Sequence, residues 1–386
     1  MRRFMIIKMI KSLAKSVYLL PIRMLASKQL PKNNHIVFLL SFPSTSDYIL
    51  SKLADKYKER LVICYTNEAK PLAESYQKKD ITIYALDSIG ELYTKVIPVI
   101  KSAQVILCDN YFAILAGFDF KDGEKVVQLW HANGAIKRFG MEAEYAKDGT
   151  SFDRKRYKNV YDRYTHLVVS SEEMANIFCE SYLNDYKILP FGYPPTDVYF
   201  EYNIYPGSFL FEQHKHKKIA LYAPTYRDQA EQSGVDLREM NKHFPEGWQL
   251  YVRVHPHDHK LKKQLVGLPS IKQIPEEVPL STVFNQIDCL ITDYSSIPFE
   301  YSLAKKDGKI IYYCYDLEQY EMTVGLQRNF KEWAAPYLVS DIEELIAAIK
   351  EENDYPFDQF NAFWNTFANG HAADQLIEWI DEQYEN

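Results

Sequence analysis

Four short stretches of this 386-residue sequence carry side chains suited to chemistry, and each directly follows or ends an apolar run. The first is Trp130-His131-Ala132-Asn133-Gly134-Ala135-Ile136-Lys137-Arg138-Phe139-Gly140, after Val126–Leu129. A strand that ends in His and enters a Gly-containing turn exposes imidazole at a sheet's carboxyl edge, and imidazole has the pKa for proton abstraction near neutrality. Lys137 and Arg138 add cations suited to a phosphate. The second is Tyr251-Val252-Arg253-Val254-His255-Pro256-His257. Alternation along a strand sends Arg253 and His255 to one face, where two donors form a phosphate clamp, and Pro256 stops the strand. His257 and His259 add an H-x-H spacing that can chelate a metal, but no carboxylate-rich cluster accompanies it. The third is Ile291-Thr292-Asp293-Tyr294-Ser295-Ser296-Ile297-Pro298, a strand, a turn and a helix start. Ser295 or Ser296 caps that helix, Pro298 fits its first turn, and the free N–H groups make an anion site. The fourth, Ala223-Pro224-Thr225-Tyr226-Arg227-Asp228, offers Thr225 and Arg227. A plainer reading stands beside each: a structural His, surface cations, serines that only cap.

Positioning these residues requires alternating strands and helices. Apolar runs at His35–Ser41, Leu61–Tyr65, Ile81–Tyr84, Val105–Cys108, Val126–Leu129 and His166–Ser170 read as one set of strands. Lys218–Ala223, Gln249–His255, Ile271–Ile274, Cys289–Thr292 and Lys309–Tyr313 read as a second. Helical patterns at Asp47–Lys58, Glu91–Ser102, Ser171–Tyr182 and Ile297–Lys305 lie between them. Such alternation predicts an α/β fold of two Rossmann-like domains with a central cleft, ligands sitting at the carboxyl ends of the strands. The Tyr-, Pro- and Gly-rich stretch Gly192–His216 reads as the linker, and Asp358–Tyr384 as a terminal helix. The boundaries expected are 1–30, 31–200, 205–370 and 371–386. There is no G-x-G-x-x-G, no P-loop and no G-x-S-x-G elbow, which disfavours dinucleotide, P-loop and hydrolase chemistry. A diphosphate ligand held between two domains is the physical expectation.

The first thirty residues depart from the average. Arg2, Arg3, Lys8, Lys11, Lys15, Arg23 and Lys28 are basic, and no acid precedes Asp47. Ile6, Ile10, Leu13, Val17 and Leu20 recur at helical spacing. Charges interrupt the segment too often for a transmembrane span, and it lacks a signal peptide's uninterrupted apolar region and cleavage site. A basic amphipathic helix on an anionic leaflet fits, with an ordinary helix docked on the protein's own core as the alternative. The net charge of −7 argues against a nucleic-acid partner. Five scattered cysteines with no C-x-x-C pair indicate a reducing compartment.

The set WHANGAIKRFG, YAPTYRD, RVHPH and TDYSSIPFEYSLAKK, in that order, resembles the CDP-glycerol glycerophosphotransferase family over roughly residues 35–380. The resemblance implies a GT-B-like fold and transfer of a polyol phosphate from a CDP-polyol with release of CMP. It places such enzymes at the cytoplasmic face of the bacterial membrane, peripherally bound. Where polymerase-type members read His-Gly-Thr-Pro-Leu-Lys, this chain has Ala132 after His131, and its Lys lies one residue further on. Where many members carry Arg-Gly-x-Tyr, it reads Thr323-Val324-Gly325-Leu326-Gln327-Arg328, so no role is carried to Arg328. Both departures fit the short members that attach the first glycerol phosphate to undecaprenyl-diphosphate-linked ManNAc-GlcNAc. The implied roles are His131 as general base, with Asp109, at the end of the Val105–Cys108 run, orienting it or the acceptor. Asn133, Lys137, Arg138, Thr225, Arg227, Arg253, His255, Asp293, Ser295 and Ser296 are the implied substrate contacts. No cofactor is required, and Mg²⁺ is compatible but not implied. The rival readings are a glycerol- or ribitol-phosphate chain extender, a GT-B glycosyltransferase or epimerase using a nucleotide sugar, and a membrane-anchored scaffold without activity.

Overall fold

A computed structural model describes residues 9, 12–13, 15–28, 30–120, 123–201, 206–227, 235–335, 337–352 and 355–385. The expectations for Arg2, Arg3, Ile6, Lys8, Ile10, Lys11 and Asp228 therefore lie outside the described residues. The chain divides into two compact units. The first comprises Met1–Asn133, Phe139–Phe200 and Trp364–Asn386; the second comprises Gly134–Arg138 and Glu201–Phe363.

Among the described residues of the first unit, seven parallel strands form one sheet. They are β1 (Ile36–Leu40), β2 (Leu61–Tyr65), β3 (Thr82–Ala85), β4 (Val105–Cys108), β5 (Lys125–Gln128), β6 (His166–Val168) and β7 (Lys187–Leu189), in the order β3-β2-β1-β4-β5-β6-β7. The order reverses between β1 and β4, which pair in register from Ile36 opposite Val105 to Leu39 opposite Cys108. Both faces of β1 are covered, so its sequence is continuously apolar rather than alternating. Ile36, Phe38 and Leu40 share a core with Leu53 and with Leu376 and Ile380 of the last helix.

Among its described residues, the second unit repeats the plan with six parallel strands. These are β8 (Lys218–Tyr222), β9 (Trp248–Val252), β10 (Lys272–Gln273), β11 (Cys289–Thr292), β12 (Lys309–Tyr313) and β13 (Leu338–Val339), in the order β10-β9-β8-β11-β12-β13. Here the reversal falls between β8 and β11. Such reversal points are where open parallel sheets take their ligands.

The helices that matter below are α1 (Leu19–Ala26), α2 (Pro43–Tyr57), α3 (Ser151–Tyr161), α4 (Glu172–Tyr182), α5 (Ile297–Ala304), α6 (Phe357–Trp364) and α7 (Ala372–Glu385). Three expectations need correction. The helix expected over Glu91–Ser102 breaks into Ile89–Glu91, a π-helical turn at Leu92–Val96, and Ile97–Ser102. Pro98 has no N–H to complete the α-helical ladder, and the wider turn absorbs the gap. The single terminal helix is instead α6 and α7, separated where Gly370 takes φ +82°. β9 stops at Val252, so Arg253 and His255 stand on a loop and not on a strand.

α7 is secured to the first unit from outside itself. The buried carboxylate of Asp197 accepts hydrogen bonds from the backbone N–H groups of Ala372 (3.0 Å) and Ala373 (2.9 Å), two of the donors a helix start leaves unpaired. Tyr57 on α2 donates to Asp381 one turn before its end. At the other end of the chain, α1 buries Leu19, Ile22 and Ala26. Ile22 fits so closely over Gly117 that a Cβ at 117 would lie 2.5 Å from its Cγ2.

Candidate active site

In the first unit the expected base sits at the carboxyl edge of the sheet, just past β5. Trp130, the residue before it, has φ +64°, a left-handed conformation that costs a non-glycine residue roughly 1–2 kcal/mol. Its indole is held by Phe139 (ring centroids 4.8 Å apart) and by the edge of Phe178 on α4 (5.4 Å). The turn delivers the His131 imidazole into a sandwich: Phe42 stacks on one side at 3.8 Å and 8°, and Trp130 lies at 4.2 Å and 29°.

Nδ1 of His131 lies 3.1 Å from the backbone carbonyl oxygen of Asp109. A carbonyl only accepts, so Nδ1 carries the proton and Nε2 keeps its lone pair. Burial lowers the imidazole pKa to about 4, against a smaller upward pull from that carbonyl. The ring is neutral at pH 7.

Asp109 was expected to orient His131, and the geometry relates the two residues through backbone. Its carboxylate is fully buried under the start of α2. It accepts from the N–H groups of Ser41 (2.9 Å) and Phe42 (2.8 Å) and from the Ser46 hydroxyl (2.9 Å). Burial raises its pKa to about 6 despite those bonds. One residue thus holds the turn bearing the Phe42 ring with its side chain and the imidazole with its carbonyl. Phe42 and Asp109 stand just past β1 and β4, the strands between which the order reverses, and His131 just past the neighbouring β5.

Asn133 is placed elsewhere. It is 1% exposed, its amide donates to Asn365 (2.7 Å), and its carbonyl accepts from Ser170 (2.7 Å). It joins the loop to the C-terminal segment.

The second unit gathers Lys137, Thr225, Arg227, Asp293, Ser295 and Ser296 near its own reversal point. The Thr225 N–H donates to Asp293 (2.8 Å), and the Thr292 hydroxyl donates to the Ala223 carbonyl (2.7 Å), tying the loops after β8 and β11 together. Arg227 is fully committed: it pairs with Asp293 (2.9 Å) and Asp316 (2.9 Å) and lies against the rings of Tyr294, Tyr315 and Tyr320. Burial works against its charge, but Asp316 and Asp293 outweigh that and leave its pKa above the ordinary value. The guanidinium expected as a phosphate ligand is the centre of a structural knot.

Arg253 is likewise occupied, donating to the carbonyls of Pro275, Glu276 and Val278 and so shaping the loop after β10. His255 is exposed and stacks on Tyr226 at 4.9 Å and 13°. Ser295 accepts from the Ile297 N–H (3.3 Å) at the start of α5, whereas Ser296, the residue at the cap position, makes no such bond.

Lys137 reaches this unit because residues 134–138 run beside 325–327. Arg138 N–H donates to Gly325 (3.1 Å), Gln327 N–H to Ile136 (2.8 Å), and the Gln327 side chain to the Lys137 carbonyl (3.0 Å). Gly134 is required there, since a Cβ would meet the Phe299 ring of α5 at 2.5 Å. Burial lowers the Lys137 pKa, Asp293 opposes that, and Arg227 adds to it. No hydrogen bond or ion pair of this ammonium is recorded among the described residues, which leaves a half-buried cation beside a neutralised one. Sequence reasoning passed over Phe42, Asp316 and Gln327; only the position of Asp316 just after β12 could have flagged any of them.

Among the described residues no cluster of three or more His, Cys, Asp and Glu side chains could hold a metal ion, His257 and His259 included.

Residues 22–382 match the CDP-glycerol:poly(glycerophosphate) glycerophosphotransferase family. The chain belongs to this family. It is 33% identical to the teichoic acid glycerol-phosphate primase of Bacillus subtilis (strain 168) over 353 residues, 90% of this chain and 91% of that protein. Against the teichoic acid poly(ribitol-phosphate) polymerase of Bacillus spizizenii identity is 28%, over 72% of this chain but 46% of the polymerase. Among solved structures, the wall teichoic acid polymerase TagF, as a variant soaked with CDPG, superposes with a TM-score of 0.70 at 18% identity, over the whole of this chain and 98% of that one. The GT-B-like α/β fold expected from the sequence is therefore the fold of this family member, a glycerophosphotransferase.

Proposed function

We propose that this enzyme primes wall teichoic acid synthesis. It transfers sn-glycerol 3-phosphate from CDP-glycerol to the ManNAc hydroxyl of undecaprenyl-diphosphate-linked ManNAc-GlcNAc and releases CMP. The carrying observation is the His131 imidazole, with one nitrogen engaged by a carbonyl and the other left with its lone pair. Nε2 takes the acceptor hydroxyl's proton as that oxygen attacks the phosphorus bearing glycerol. The bond from that phosphorus to the bridging oxygen breaks, and CMP leaves with the oxygen and its electron pair. Such transfer depends on positioning and charge stabilisation. Lys137 neutralises the transferred phosphoryl group, with His255 and the Ser295/Ser296 helix start holding the diphosphate. Arg227, Asp293 and Arg253 set the loops that carry these groups. Near-complete coverage of a primase, against under half of a polymerase, supports priming over chain extension.

The enzyme works at the cytoplasmic membrane face, bound peripherally through its basic N-terminal segment. Each basic residue near an anionic leaflet contributes about 1 kcal/mol. No helix among the described residues is long and apolar enough to cross a membrane.

The test is acceptor-dependent CMP release. His131→Ala should bind CDP-glycerol as the wild type does while turnover falls about 100- to 10,000-fold; normal turnover would remove His131 from the reaction. A singly primed acceptor should be a poor substrate, and its efficient elongation would turn the assignment to chain extension.

A further inference from the structure

The N-terminal segment is docked on the first unit and still presents an apolar face outward. Leu19, Ile22 and Ala26 of α1 are buried, as is Ser12. Met9, Leu13, Val17, Leu20 and Met24, spaced four, four, three and four residues apart, are exposed, Leu20 at 52% and Met24 at 73%. The helical conformation runs through Tyr18 (φ −52°, ψ −31°), so Leu13, Val17, Leu20 and Met24 form one stripe opposite the buried one. Exposed Lys15, Arg23 and Lys28 accompany it.

The segment is fixed to α3. The Thr150 hydroxyl, at the cap of α3, donates to the Ser12 hydroxyl (2.7 Å). Arg156, paired with Asp153, donates to the Ser12 carbonyl (3.4 Å). The outer side of α3, starting two residues from that contact, carries exposed Phe152 (41%), Arg154 and Lys155. Tyr145, also exposed, lies edge-on to Tyr157 of the same helix. An aromatic ring beside two cations is the composition of an interfacial anchor.

We infer that α3 is a second lipid contact, and that it and the docked N-terminal segment form one surface for an anionic bilayer. This rests on the membrane-surface reading above and adds the element and the orientation: the apolar stripe enters the lipid while its opposite face stays on the protein. The partner is set by charge complementarity, since cations flank both apolar patches and no acid precedes Asp47.

The experiment is sedimentation of the full chain with phosphatidylglycerol/phosphatidylcholine vesicles. Three variants are compared with wild type: Phe152→Ser, the double change Arg154→Gln/Lys155→Gln, and Val17→Ser/Leu20→Ser. Thermal melts verify folding, and turnover on a soluble short-chain acceptor is read alongside. Phe152→Ser should weaken vesicle binding about five-fold or more, and the double change should weaken it at low salt only, both with unchanged turnover on the soluble acceptor. If Val17→Ser/Leu20→Ser loses binding while both α3 variants bind normally, α3 is no contact and only the N-terminal reading survives. If all three bind as wild type does, both readings fall.

Discussion

A histidine held between two aromatic rings and away from water resists protonation until a negative charge arrives beside it. Burial sets the His131 pKa at about 4, while the faces of Phe42 and Trp130 favour the cation that forms when Nε2 accepts a proton. The free energy of that depression is visible in folding. The unfolded imidazole titrates near 6.5, so its contribution is fully present above that pH and is lost as pH falls towards 4; it amounts to roughly 2–3 kcal/mol. In urea denaturation, the stability gap between wild type and His131→Asn should narrow steadily from pH 7 to pH 4.5. A gap independent of pH would mean that the ring is not protected. Comparing the two proteins also cancels Asp109, whose raised pKa acts with the opposite sign in the same range. At this scale the sequence was legible where a residue type has few uses: a His closing an apolar run could be picked out without coordinates. It was silent on the partners that Arg227, Arg253 and Asn133 find within the chain. Whether a guanidinium meets a ligand or two aspartates depends on residues 60 to 90 positions away, such as Asp293 and Asp316, which spacing does not reveal.

Strands buried on both faces announce themselves as unbroken apolar runs, which is why β2, β4, β11 and β12 fall on the expected residues. β7 and β13, with three and two residues, are too short to rise above the loops around them. Helix ends were harder to read. The Asp197 carboxylate that completes the start of α7 comes from a segment 175 positions earlier. Asp197→Ala should cost about 1–2 kcal/mol, as for a lost helix cap. Hydrogen exchange should show it first in the amides of Ala372, Ala373 and the turn that follows, with β8–β13 unaffected. Uniform acceleration throughout the chain would instead make α7 part of one global unfolding unit.

For the molecule as a whole, two local oddities of the sequence turn out to be one feature. The stretch after His131 differs from the His-Gly-Thr-Pro-Leu-Lys reading and the stretch Thr323–Arg328 from the Arg-Gly-x-Tyr reading set out above, and residues 136–138 lie hydrogen-bonded against 325–327. The two parallel sheets were implied by the alternating pattern, although their strand orders and reversal points were not. The N-terminal segment kept both of its possible readings, because one helix can bury one stripe in protein and offer another outside. That arrangement gives Gly117 an unexpected leverage. A methyl group there would work as a wedge under Ile22, prising the first helix off its seat without altering any outward-facing residue. Gly117→Ala should therefore hasten tryptic cleavage after Arg23 while the sheets stay intact, separating what the helix does by its chemistry from what it does by being held in place.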